Sequence, residues 1–160
     1  MQKVTIISVG RLKEKFFEAA QDEYVKRLKG FCDLQIVEIP AETLPQNPSD
    51  GVVNAVLKAE AEKIISKIPK NSEVIPLCIE GKTRSSEELA GIISKNADLG
   101  SGSICFIIGG SYGLADSVKA LGTFRLSMSP MTFPHRLARI MLLEQIYRSY
   151  KILSGGEYHK

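Results

Sequence analysis

The hydrophobic and polar positions along the chain alternate between two periods. Lys3 to Val9 is apolar and β-branched and ends at Gly10, which predicts a first strand. Leu12, Phe16, Phe17, Ala20, Tyr24 and Leu28 then recur at helical spacing with charged residues between them, up to a stop near Gly30. A second strand, Leu34 to Ile39, is halted by Pro40, and a second helix is marked by Val52, Val53, Val56, Leu57, Ile64, Ile65 and Ile68 and ended by Pro69. Between them Ala41 to Gly51, with Pro45 and Pro48, predicts the longest loop, a lid or merely a connection. Glu73 to Ile79 reads as a third strand closing at Glu80-Gly81-Lys82. Ser85 and Glu88 stand in capping-box relation, so a third helix starts there, buries Leu89, Ile92 and Ile93, and ends within Asn96 to Gly102. Ile104 to Ile108 predicts a fourth, buried strand, Leu114 to Leu121 a short helix and Phe124 to Met128 a fifth strand. The last helix runs from Pro134 to about Leu153, with Leu137, Ile140, Met141, Tyr147 and Tyr150 as its apolar side and Glu144, Arg148 and Lys151 opposite.

Five strands alternating with five helices indicate an α/β fold with a mainly parallel sheet flanked by helices. At 160 residues and 44% hydrophobic, the chain suits one domain over residues 1–160 with a sizeable core. No apolar run approaches the length of a membrane span, and Met1 leads directly into a strand-like segment, so a soluble cytoplasmic protein is expected. Cys32, Cys78 and Cys105 are widely spaced and read as reduced thiols in the core, with no clustered partners for a metal.

Charge is unevenly distributed. Residues 1–31 carry seven Lys/Arg against four Asp/Glu, residues 32–124 eight against twelve, and residues 125–160 six against two. If the two basic ends meet in space, they form a surface suited to a phosphate backbone; ordinary solvated charge is the other reading.

Two stretches carry candidate chemistry. Ser103 to Gly113 is a strand emptying into Gly109-Gly110-Ser111-Tyr112-Gly113, and Leu126 to Arg136 repeats the design with Pro130 and Pro134. Glycine loops at the carboxyl ends of parallel strands let backbone approach a ligand, so the two loops are expected to face each other across one pocket. The first strand lacks a G-x-G-x-x-G after it, no Walker A loop occurs, and the serine of Gly109 to Gly113 has only His135 and His159 available as bases for a nucleophile-elbow reading.

Val9-Gly10-Arg11-Leu12-Lys13, Glu38-Ile39-Pro40, Ile107 to Gly113, Leu126-Ser127, Met131-Thr132-Phe133-Pro134-His135, Glu144 to Arg148 and Glu157-Tyr158-His159-Lys160 together resemble the ribosomal RNA large subunit methyltransferase H family of the SPOUT class, over essentially the whole chain. The resemblance implies a C-terminal deep trefoil knot, S-adenosyl-L-methionine as cofactor, no metal, a homodimer, and methylation of N3 of a pseudouridine in 23S ribosomal RNA on the assembled ribosome. It also implies cofactor binding by Leu77, Gly109, Met128, Ser129, Pro130, Met131, Thr132 and Phe133. Candidate bases for the imide proton are His135, Glu144 and His159; His135, otherwise a cap or backbone-bonding residue, and His159, if a partner subunit's pocket receives the tail, are carried forward as separate catalytic candidates. A helix start disfavours a protonated His135. Arg139, Arg148 and Lys160 are expected as RNA-phosphate contacts. The rival readings are a non-enzymatic ribosome-binding or assembly factor on the same fold, and a small enzyme taking a phosphorylated cofactor.

Overall fold

The computed structural model describes residues 1–99 and 102–158. Five strands, β1 (Lys3–Val9), β2 (Asp33–Ile39), β3 (Glu73–Thr83), β4 (Ser103–Ile108) and β5 (Leu126–Ser127), form one sheet in the order β2-β1-β4-β3-β5. Every neighbouring pair is parallel. The helices are α1 (Lys15–Leu28), α2 (Asp50–Lys67), α3 (Ser86–Ala97), α4 (Asp116–Lys119) and α5 (His135–Leu153).

Alternation along the strands divides the core into two layers. Val4, Ile6, Ile104 and Phe106 point to the face covered by Leu28 of α1, Leu89 and Ile93 of α3 and Leu142, Leu143 and Ile146 of α5. Ile7, Val9, Cys105 and Ile107 point to the other, against Ala61 and Ile64 of α2 and Val118 of α4. β4 is buried along its whole length, as its unbroken apolar run requires of a central parallel strand. Each of its large side chains contributes about 1.5–3 kcal/mol by leaving water.

Connectivity opens a crevice at one end of the sheet. From β3 the chain crosses by α3 to β4, and from β4 it returns by α4, on the opposite face, to β5 on the far side of β3. Crossovers that leave on opposite faces part the loops at the carboxyl ends of β3 and β4, where ligands bind in open α/β sheets.

Local signals placed most boundaries. Ser85 accepts from the Glu88 amide at 3.1 Å and the Glu88 carboxylate accepts from the Ser85 amide at 2.7 Å, completing the capping box. Four expectations change. β3 does not close at Glu80-Gly81-Lys82 but continues to Thr83 through a register shift, because Gly81 lets Arg125 approach so closely that a Cβ would stand 2.6 Å from its carbonyl oxygen. β5 is only two residues long, and the long loop ends earlier, with Ser49 capping α2 through the Val52 amide. The deepest side of α5 is Arg139, Leu142, Leu143, Ile146, Ser149 and Tyr150, while Leu137, Ile140, Met141 and Tyr147 are half-buried. That helix is apolar over much of its circumference, so its period alone does not choose the face. Among the described residues no helix is long and apolar enough to cross a membrane.

Candidate functional site

A cleft of about 880 Å³ opens at the carboxyl ends of β3, β4 and β5. It collects Leu77 from β3, Gly109 to Leu114 after β4, and Leu126 to Ser129 with Met131 to His135 around β5 and the start of α5. Of the residues expected to hold a cofactor, Leu77, Gly109, Met128, Ser129, Met131, Thr132 and Phe133 meet here; Pro130 is not part of the lining. The second loop is shaped by its own serines: Ser127 Oγ donates to the Ser129 carbonyl at 3.1 Å, and Ser129 Oγ accepts from the Met131 amide at 3.0 Å.

Gly109 is required for a reason other than bare backbone facing a ligand. A Cβ there would collide with the carbonyl of Gly113, and the Gly113 amide donates to the Gly110 carbonyl at 3.0 Å. The loop closes on itself, and glycine permits that closure. Gly113 itself has φ +78.

The lining is apolar at Leu77, Ile108, Leu126, Met128 and Phe133, with polar groups supplied by loop backbone, Ser127 and Ser129. Two charged residues border it: Lys119 Nζ pairs with Glu80 Oε1 at 2.5 Å, and this hydrogen bond keeps the Glu80 carboxyl below the usual carboxylate range. Neither residue had a local sequence signal, since they lie 39 positions apart.

His135 also lines the cleft, at the first position of α5. Burial lowers its pKa below the ordinary 6.5, helped by the guanidinium groups of Arg136 and Arg139 and opposed by Glu14. A neutral imidazole at the helix start is thus present, with burial as its main cause. Its ring packs against Gly10, whose Cβ position lies 3.7 Å from His135 Nε2.

Arg139 is corrected outright as a phosphate contact. It is 1% exposed; Nη1 donates to Glu38 Oε2 at 2.9 Å and to Gln21 Oε1 at 3.1 Å, and Nη2 to the Gly10 carbonyl at 2.9 Å. Arg136, absent from the sequence expectations, donates to the Arg11 carbonyl at 3.1 Å and pairs with Glu14 at 2.8 Å. Together these arginines bind the segment after β1 to the first turns of α5. Arg148 pairs with Glu144 at 2.8 Å, donates to the Tyr158 carbonyl and lies 4.7 Å from the Tyr158 ring centroid. Glu144 also accepts from Tyr24 at 2.7 Å and Tyr158 at 3.0 Å. His159 and Lys160 lie outside the described residues.

Comparison with known proteins agrees over the same length. The family model described as Predicted SPOUT methyltransferase matches residues 2–159. The chain is 48% identical over 157 residues to Ribosomal RNA large subunit methyltransferase H of Clostridioides difficile (strain 630), covering 98% of this chain and 99% of that protein. It is 45% identical over 157 residues to the protein of the same name in Bacillus pumilus (strain SAFR-032), again covering 98% and 99%. The crystal structure of a probable methyltransferase from Bordetella pertussis Tohama I shares the fold, with a TM-score of 0.56, 14% identity and coverage of 93% of this chain and 96% of that one.

Proposed function

The chain belongs to the SPOUT methyltransferase family, and from that membership we propose that it is an S-adenosylmethionine-dependent methyltransferase of 23S ribosomal RNA. The target is N3 of a pseudouridine, on the assembled ribosome, in the cytoplasm. The observation that carries the reading is the cleft, an apolar slot between two backbone-rich loops with an imidazole of lowered pKa at its edge, in a chain similar over 98% of its length to proteins named ribosomal RNA large subunit methyltransferase H.

The lining fits the cofactor. Its volume is within the roughly 300–1,000 Å³ of small-molecule clefts, its apolar side chains suit an adenine ring, and loop amides and carbonyls suit polar edges. Lys119, the cation in the lining, is already paired with Glu80, which favours an adenosyl group without a phosphate over a phosphorylated nucleotide. Leu77, Gly109, Met128 to Phe133 and the loop around them hold it, with Pro130 contributing through the turn rather than the lining. When bound, the cofactor supplies a methyl group activated on a sulfonium. The protein's own work is to align that methyl group with the target nitrogen and to take the imide proton. The His135 imidazole would accept the N3 proton and leave that nitrogen's electron pair free for methylation, a role that its burial-lowered pKa permits. His159 is a second candidate for the same transfer.

The resemblance also carries a knotted C-terminal half and a homodimer into this proposal. Tyr147 and the half-buried residues of α5, with the tail held at Tyr158 by Glu144, form a face suited to a second copy. Calorimetric titration of the full chain with S-adenosylmethionine, followed by transfer of labelled methyl to purified ribosomes, tests the reading. Saturable binding and label in 23S RNA are expected. Absence of binding both with and without ribosomes would overturn it.

A further inference from the structure

We propose that the segment joining β1 to α1, together with the first turn of α1, is a ribosomal RNA docking surface, in which Arg11, Lys13 and Lys15 take backbone phosphates and the Phe16 ring takes an unstacked base. The inference rests on the reading of the protein as an RNA methyltransferase and adds where the RNA lies beside the cleft.

Three observations converge on this segment. First, it is held rigidly from within. The Gly10 amide donates to the Ile39 carbonyl at 2.7 Å, Arg139 binds the Gly10 carbonyl, Arg136 binds the Arg11 carbonyl and Glu14, and Leu12 is buried beneath. Second, its outer side is cationic. Arg11, Lys13 and Lys15 are all exposed, and none forms an ion pair among the described residues, while Glu14 between them is neutralised by Arg136. Third, Phe16 is 67% exposed, and its ring rests against the half-buried Phe17 with centroids 4.5 Å apart. A large exposed ring fixed by a neighbouring ring, beside three cations on a braced loop and the helix start that follows it, has the composition of a single-strand platform: point charges for phosphates and a π-face for a base.

The position of the loop suits the proposed reaction. His135, on the rim of the cleft, packs against Gly10 at the root of the same loop, and Arg136 beside it is one of the braces. A strand laid across Arg11 to Phe16 therefore runs to the imidazole edge of the cleft. This surface takes over the phosphate-binding role that the buried Arg139 does not fill. RNA is favoured over a second copy of the chain, because a two-fold contact centred here would set three cations against the same three.

The test is co-sedimentation of the full chain with purified bacterial ribosomes across a salt series, a readout that does not require methyl transfer. Two variants are compared: Arg11→Gln/Lys13→Gln/Lys15→Gln, and Phe16→Ser. A control, Lys29→Gln/Lys67→Gln/Lys70→Gln, removes three exposed charges near the opposite end of the sheet. The triple loop variant is expected to weaken retention on the order of tenfold and to flatten the salt dependence by about 0.7 for each phosphate that is no longer neutralised. Phe16→Ser is expected to weaken retention about tenfold, within the range for loss of one stacked base, with little change in salt dependence. S-adenosylmethionine affinity, followed by calorimetry, stays as in the parent chain in both. Equal retention of the loop variants and the control would overturn the proposal, as would a loop variant whose oligomeric state changes while its retention does not, which would assign the patch to a contact between copies. If the parent chain binds S-adenosylmethionine and methylates ribosomes while the loop variants retain full ribosome affinity, this surface fails and the methyltransferase reading stands. If the parent chain neither binds the cofactor nor sediments with ribosomes, both fail.

Discussion

Arg139 Nη2 donates to the carbonyl of Gly10 at 2.9 Å, joining residues 129 positions apart. The bond fastens the loop after the first strand to the helix that begins with His135. Gly10 sits at φ +91, in the left-handed region open to glycine, and its carbonyl is thereby aimed at the guanidinium. The same arginine reaches Glu38 and Gln21, so three elements meet on one side chain. Loss of that side chain has a defined cost. Arg139→Met leaves the Gly10 carbonyl unpartnered and the Glu38 carboxylate without its cation, and is expected to destabilise the fold by about 3 kcal/mol, the lower end for breaking a buried pair because Glu38 is partly exposed. Arg139→Lys is expected to recover only part, since an ammonium does not span the guanidinium fork. Urea unfolding measures both, and two variants of parental stability would contradict the bracing role.

His135 predicts a pH dependence of stability. Its folded pKa is held below 6.5 by burial and by Arg136 and Arg139, so between 6.5 and the folded value the unfolded chain binds a proton that the folded chain does not. Stability is fully present above pH 6.5 and falls as pH drops through the folded value. His135→Gln is expected to flatten the slope of stability between pH 7 and 5, read from urea midpoints. If His135 is also the base, the acid limb of the rate profile of the parent enzyme lies below pH 6.5. An imidazole titrating at or above 6.5 by nuclear magnetic resonance would remove both expectations.

Two glycines should respond in opposite ways to alanine. Gly109→Ala places a methyl group against the Gly113 backbone, forcing the loop open, and is expected to lower S-adenosylmethionine affinity at least about tenfold while destabilising the fold, by the usual overpacking cost of about 1–3 kcal/mol. Gly91, inside α3, has nothing within 4 Å of its Cβ position. Gly91→Ala is expected to stabilise by about 0.5–1 kcal/mol, through helix propensity alone. Calorimetry and thermal unfolding decide, and a Gly109→Ala protein with parental affinity would displace the glycine loop from the site.

The cysteines supply a footprint of the cleft. Burial pushes the Cys105 thiol up to about 12 and the Cys32 thiol up to about 11, so neither presents thiolate near neutrality. The Cys78 thiol is also raised by burial, yet Cys78 lines the cleft. Slow labelling of the native protein at pH 8 is expected to reach Cys78 first, and saturating S-adenosylmethionine is expected to slow that reaction. Labelling indifferent to the cofactor would place it elsewhere.

Much of this architecture is written locally. Five strands and five helices, the capping box at Ser85 and Glu88, the glycine loop after β4 and the reduced core cysteines all follow from periodicity, turn chemistry and composition, which depend on neighbours a few positions away. Those same local signals placed Gly109 and the turn from Met128 to Phe133 at strand ends, where all of these but Pro130 line the cleft, while Leu77 was implied by the family resemblance. Strand order was not available from them, because β4 enters between β1 and β3 only when crossovers choose their faces. Nor was the fate of individual charges. Arg139 and Arg11 look alike in sequence, yet one is enclosed by Gly10, Gln21 and Glu38 while the other stands in solvent, and Glu80 finds Lys119 only because β3 and α4 meet. Periodicity assigns an apolar residue to a face, but a charged residue becomes internal only where partners from distant segments arrive, as Gly10, Gln21 and Glu38 do at the two terminal nitrogens of Arg139, and that meeting belongs to the tertiary structure.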